Sequence, residues 1–254
     1  MRHIKYNKKL QEALDARAYK KGHKPPPEQV IFRIKDRVVG SLQNFVCFSG
    51  LPKAGKSTFL NATVASAFST WPIYGIELSP PINRPVIGYI DTESGEYDFY
   101  RSTDRIKQFM GLPELPDNLM PFTFRNADPE EIKQSIEYFL SVVPNCSVII
   151  IDGLLDLLLD YNNVMESRLL LNWIKKITAD FDVLCIGVVH VGKKDGNTLG
   201  HFGSMLDRYC QSIIKVEKDK EKQVFTLSPQ LMRSDGDFSK IGLANNDGQF
   251  VEVF

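Results

Sequence analysis

From Val30 onward the chain alternates between short apolar runs and stretches whose apolar residues recur at helical spacing. The runs are VIFRI at 30–34, NFVCFSG at 44–50, PVIGYIDTE at 85–93, PFTFR at 121–125, SVIIIDG at 147–153 and VLCIGVVHV at 183–191. Helical spacing predicts helices from Ser57 to about Phe68, and near 96–110, 129–142 and 164–180. Runs that are apolar throughout, such as Val148 to Ile151, suit strands of a parallel sheet covered by helices on both faces. After Gly203 the pattern changes to short alternating runs joined by charged or glycine-containing turns, SIIKVEKDKEKQVFTLSP and GQFVEVF. These predict antiparallel strands at one edge of the sheet. The expected fold is therefore α/β: a mainly parallel, twisted sheet flanked by helices, with an antiparallel C-terminal extension.

The first 29 residues differ in kind. Residues 4–19 carry a weak helical pattern, and KGHKPPPEQ at 21–29 then breaks regular structure, because prolines remove donors and force extended backbone. The reading is a basic helix and Pro-rich linker over 1–29, followed by one domain over 30–254. Residues 1–24 hold eight Lys/Arg against two acids, while the rest holds 23 against 29. Such an arm is either a solvated helix face or a surface that meets nucleic acid by releasing phosphate counterions. The bulk composition, 43% hydrophobic and 24% charged, is that of a globular protein. No run approaches the ~18 apolar residues of a membrane span, and the opening residues lack the apolar centre of a secretory signal, so a cytosolic protein is expected. Cys47, Cys146, Cys185 and Cys210 form no CxxC pair and read as reduced core residues.

Candidate chemistry begins at GLPKAGKS, residues 50–57, which fits the phosphate-binding pattern G-x-x-x-x-G-K-[ST]. Its glycines allow a tight loop that turns backbone N–H groups toward phosphate oxygens, and the helix that follows adds its positive end. Gly50, Lys53, Ala54, Gly55, Lys56, Ser57 and Thr58 are the expected contacts to ATP. Lys56 supplies a point charge to the β- and γ-phosphates, and the Ser57 hydroxyl ligates Mg2+. VIIIDG at 148–153 ends in Asp152, placed to hold Mg2+ through a water at the sheet's carboxyl edge. YIDTE brings Asp91 and Glu93 to the same edge, where a carboxylate polarises the water that attacks the γ-phosphate. His190, at the end of VLCIGVVHV, is a candidate to touch the γ-phosphate or that water.

The order GLPKAGKS, YIDTE, VIIIDG resembles that of RecA-like P-loop ATPases. The resemblance implies that the catalytic carboxylate lies on the strand after the P-loop helix. It selects Glu93 as base and leaves Asp91 a capping role, in keeping with Gly153 where an acid would otherwise follow Asp152. Lys53 within KAGKS, and VLCIGVVHVGKKDGNTLGHFGS at 183–204, are similar to the RepA-type branch of hexameric, helicase-like ATPases of plasmids and mobile elements. A homo-oligomer such as a hexamer-like ring, and DNA as a candidate partner, are what that branch implies. The loop at 192–203 departs from it, carrying only Lys193 and Lys194 beside Asp195 where a channel loop would be richer in basic residues. A ring would also need a cation donated in trans, for which Arg233 is the first candidate, ahead of Arg208 and Lys218. Two other readings use the same P-loop: a slow ATP-dependent switch that docks partner proteins, and a small-molecule kinase.

Overall fold

The structure, a computed structural model, describes residues 7–191, 200–246 and 249–254. In chain order the elements are α1 (Lys8–Asp15), β1 (Val30–Ile34), β2 (Arg37–Ser41), β3 (Phe45–Gly50), α2 (Lys56–Ser66), β4 (Ile76–Leu78), β5 (Val86–Asp91) and α3 (Glu96–Met110). There follow β6 (Leu119–Thr123), α4 (Pro129–Val142), β7 (Cys146–Asp152), a 3-10 turn at Leu154–Leu157, α5 (Val164–Asp180), β8 (Leu184–His190) and α6 (Gly200–Tyr209). The chain closes with β9 (Ser212–Asp219), β10 (Val224–Met232), β11 (Ile241–Asn246) and β12 (Gln249–Glu252).

Nine strands form the main sheet in the order β12-β11-β10-β9-β3-β8-β7-β5-β6. From β9 to β6 every neighbouring pair is parallel, and β10, β11 and β12 are antiparallel, so the predicted parallel core with its antiparallel extension is present. The central strands β3, β5 and β7 are buried at every position, which explains their continuous apolar runs. One face packs against α2 and α3, the other against α4, α5 and α6.

VIFRI, read from the sequence as the first run of the α/β series, lies elsewhere. It forms no part of the main sheet: β1 pairs with β2 and β4 in a separate three-stranded antiparallel sheet, order β2-β1-β4. That small sheet covers α2, whose residues are buried all round except Ser57, so the P-loop helix is an interior helix. The N-terminal helix is also shorter than expected within the described residues, ending at Asp15, and all its residues are solvent-accessible. Four buried cysteines are free, as a reduced core requires. Among the described residues no helix is long and apolar enough to cross a membrane.

The two edges of the sheet are finished differently. At the amino edge Arg84 donates to the carbonyls of Cys146, Phe181 and Asp182 and to the Asp182 carboxylate, at 2.5–2.8 Å. Gln211 there binds Ser41, Glu28 and Ser234. The carboxyl edge instead gathers carboxylates.

Candidate functional site

Strand parity decides which side chains meet. Tyr89 and Asp91 on β5, Asp152 on β7 and His190 on β8 share the face of Val148, Ile150, Ile186 and Val188, which is the face covered by α2. The register then sets Asp91 opposite Asp152 and His190 opposite Gly50, at the start of the P-loop. Residues separated by more than a hundred positions thus come together at the N-terminus of α2.

The loop itself is turned by left-handed backbone at Lys53 (φ 64°) and Gly55 (φ 96°). A side chain at Gly55 would be strained at that angle and would place its Cβ 2.5 Å from Phe225 Cδ1, so glycine is required. Gly55 caps α2 without a side-chain bond, and its carbonyl accepts from Thr58 and Phe59. Among the described residues, the N–H groups of Gly55, Lys56 and Ser57 take no backbone carbonyl, which leaves a cradle for an anion. Ser57 is exposed in this first turn, whereas Thr58 is buried and accepts from Arg105 at 3.5 Å.

Lys56 is 5% exposed and spends its three donors on Gly50 O (2.9 Å), Leu51 O (3.0 Å) and His190 Nδ1 (2.9 Å). An ammonium has no acceptor, so Nδ1 accepts and the ring proton sits on Nε2. Nε2 then faces both Glu93 oxygens, at 3.0 and 3.1 Å. The result is a chain from Lys56 through His190 to Glu93. Burial lowers the Lys56 pKa while Glu93 and Asp152 draw it back up. The hydrogen bond from His190 holds Glu93 below its ordinary value, against the effect of burial.

Asp152 lies beneath this chain and accepts from Tyr89 Oη at 3.2 Å. Burial, with Asp91 and Glu93 adding repulsion, pushes it up to about 7. Asp91, expected in a capping role, caps a turn: Oδ1 accepts from the N–H of Glu93 (3.0 Å) and Ser94 (2.7 Å) and fixes the bend that presents Glu93. Three participants escape sequence reasoning. Tyr89 is one, although its two-residue spacing from Asp91 signals the shared face. Thr92 and Asp156 are the others; the Thr92 hydroxyl lies 2.8 Å from Asp156 Oδ2 and ties the Glu93 turn to the segment after Asp152. Gly153 sits against this tie with φ +117°, and a Cβ there would lie 2.1 Å from Thr92 Oγ1.

The remaining candidates lie apart. Arg233 is at the amino edge, its N–H on Gln211 O and its guanidinium on the Asp207 carbonyl, and Arg208 is exposed at the C-terminal end of α6 at that same edge. Neither reaches the P-loop of its own chain. Lys218 does stand near it, over the Phe225 ring at 4.8 Å, in the wall of a cavity of about 530 Å3 that also touches Gly50, Lys53 and Ala54. Lys193, Lys194 and Asp195 fall outside the described residues.

No protein-family model matches the sequence, and no curated protein matches it either. What the site can do rests on its own atoms.

Those atoms fit a magnesium–nucleotide complex. The free N–H groups and the buried lysine suit polyphosphate, and a buried carboxyl crowded by two others gains most from a divalent cation. Burial, with that crowding added, also costs stability without the cation. A carboxyl raised from 3.8 to about 7 on folding carries no penalty below pH 4, an increasing one from pH 4 to 7, and a constant one above. Asp152→Asn is therefore expected to be more stable than the parent at pH 8 in chelator, by on the order of a few kcal/mol, with the advantage shrinking toward pH 5. Urea midpoints at the two pH values measure it, and a pH-independent difference would contradict the assignment.

Proposed function

We propose that the protein is a magnesium-dependent P-loop ATPase of the RecA-like kind, converting ATP to ADP and phosphate. The observation that carries this reading is the convergence of Lys56, His190, Glu93 and Asp152, from four separate segments, on one helix N-terminus that has no side-chain cap. The β- and γ-phosphates would replace His190 Nδ1 and one of the two loop carbonyls as acceptors for Lys56. Without that donor on Nδ1, the imidazole can turn to the γ-phosphate or the attacking water. Glu93, released from Nε2, accepts the proton of that water. Ser57 and Asp152 would hold Mg2+, which supplies charge neutralisation between the phosphates.

The RepA-type resemblance extends the proposal to a ring acting in replication, mobilisation or excision of mobile DNA. In such a ring Arg233 or Arg208 could serve only the neighbouring copy, since each lies at the opposite edge of the sheet from its own P-loop. A slow ATP-dependent switch is the second reading, favoured by the contact that occupies Glu93 with His190. A coupled assay with and without single-stranded DNA tests both. DNA-stimulated turnover supports the motor, slow unstimulated turnover supports the switch, and turnover that appears only with an added acceptor would replace both with a kinase.

A further inference from the structure

The β9–β10 hairpin sorts its charges. Its sequence, KVEKDKEKQ at 215–223, sets four lysines against Glu217, Asp219 and Glu221 and is close to neutral. Asp219 is spent on the turn, where its Oδ1 accepts from the N–H of Glu221 (3.0 Å) and Lys222 (3.1 Å). Glu217 is paired with Lys215 at 2.7 Å. β9 continues to Asp219, past Lys215, the last of its residues to pair with β3, so the hairpin projects beyond the carboxyl edge of the sheet. There it stands beside the P-loop, with Phe225 of β10 packed over Gly55.

Between hairpin and loop lies the cavity of about 530 Å3 that Lys218 helps to wall. Lys53, Lys215, Lys218 and Lys220 line it against a single acid, Glu217. Among the described residues Lys53, Lys218 and Lys220 have no carboxylate partner, and Lys218 meets only the Phe225 ring. The apolar lining is Leu51, Pro52, Ala54, Val191 and Val216. Gln230 Oε1 accepts from Ser49 at 2.9 Å, which leaves the amide N–H groups of Gln230 to the cavity. Lys56, Ser57, Glu93 and Asp152 take no part in the lining, so the cavity is distinct from the cradle at the N-terminus of α2.

Unpaired cations, a free amide and an aliphatic interior select an anion that carries an apolar body. Lysine binds phosphate as a point charge, and its stem adds apolar surface. The volume falls within the range of small-molecule sites. A single strand of nucleic acid requires a groove of cations along its backbone and aromatic platforms for its bases. Here the cations gather round one cavity, and its lining has no aromatic ring. We propose that the cavity binds a small phosphomonoester with an apolar body, apart from any nucleotide on the P-loop. The site itself does not depend on the ATPase reading; one consequence does. Cavity and P-loop share residues 50–54, and the Gly50 and Leu51 carbonyls hold Lys56. An anion in the cavity adds negative charge beside the loop and engages Lys53, so it lowers the affinity for ATP, and ATP lowers its affinity by the same factor.

The site is tested by titrating the full chain, without nucleotide, with 1-naphthyl phosphate and following its fluorescence. 1-Naphthol and inorganic phosphate serve as the separated halves. The intact ester is expected to bind saturably and at least about tenfold more tightly than either half. Lys220→Glu is expected to weaken it by at least about tenfold. Lys222→Glu makes the same charge change on the same hairpin but outside the lining, and at ~0.15 M salt its effect is expected to stay below about threefold. Thermal unfolding of both variants confirms that they fold. Equal losses in the two variants would overturn the proposal in favour of diffuse attraction, and binding of the ester no tighter than that of its halves would overturn it outright. Displacement of the probe by a short single-stranded oligonucleotide would overturn it in favour of a nucleic-acid surface. Adding a non-hydrolysable ATP analogue with Mg2+ is expected to raise the apparent Kd of the probe to a ceiling of about 5- to 100-fold. A rise without a ceiling would place the probe on the P-loop itself and overturn the separate site. If the analogue binds without shifting the probe, the coupling is removed and the site stands; if the analogue does not bind at all, the ATPase reading fails and the site again stands.

Discussion

Replacing Lys56 by alanine is expected to weaken ATP binding by at least about 100-fold. Charge-assisted hydrogen bonds contribute about 1.5–3 kcal/mol each, and two of them to the β- and γ-phosphates correspond to two or more orders of magnitude in Kd. The loss should exceed that of an exposed lysine because Lys56 is buried, where its charge is poorly screened. Part of any defect could come from folding, since the substitution also leaves His190 Nδ1 and the Gly50 and Leu51 carbonyls without their donor. Thermal unfolding alongside titration with a fluorescent ATP analogue separates the two effects. Binding within a factor of two of the parent, in a folded variant, would remove the P-loop assignment and the proposed function with it.

Glu93→Gln should leave ATP bound and cut turnover by roughly 10²- to 10⁴-fold. The amide keeps an oxygen for His190 Nε2, so the positioning of the imidazole survives while the proton acceptor is lost. Asp91→Asn is the informative control. Its Oδ1 accepts from two backbone N–H groups, a duty that asparagine performs as well, and its effect on turnover should be small by comparison. Normal hydrolysis by Glu93→Gln together with an inactive Asp91→Asn would show that the wrong carboxylate has been chosen.

The residues that the sequence makes easy to read are those where two signals coincide. GLPKAGKS lies between a fully apolar strand and a helix, and Asp152 and His190 each end an apolar run, so type and position reinforce one another. The helices at 96–110, 129–142 and 164–180 have long periodic patterns, and the latter two have Asp128 and Asn163 as caps. The small sheet was obscured by its turns. β1 and β2 are joined through Lys35 and Asp36, both left-handed with φ 48° and 66°, a two-residue hairpin that usually advertises itself with Asn-Gly. Here tertiary cover over α2 holds a turn that local preference disfavours. α6 was hidden for the opposite reason: Gly200 and Gly203 lie within it, and glycine is a poor helix former. The Lys56–His190–Glu93 chain depends on which strands are neighbours, and strand order has no local signature.

The left-handed backbone at Gly153 has a consequence for the routes by which this site can change. An acidic side chain introduced there would have to share space with Thr92 and keep a φ that side chains resist. Transfer of the proposed base from the turn after β5 to the end of β7 is thus closed to any single substitution at 153. It would first require a smaller residue at 92, and the Thr92–Asp156 tie that steadies the Glu93 turn would be given up in the process. Under the proposed function, a base in the turn after β5 and a base beside Asp152 are separated here by an intermediate that has neither in working order.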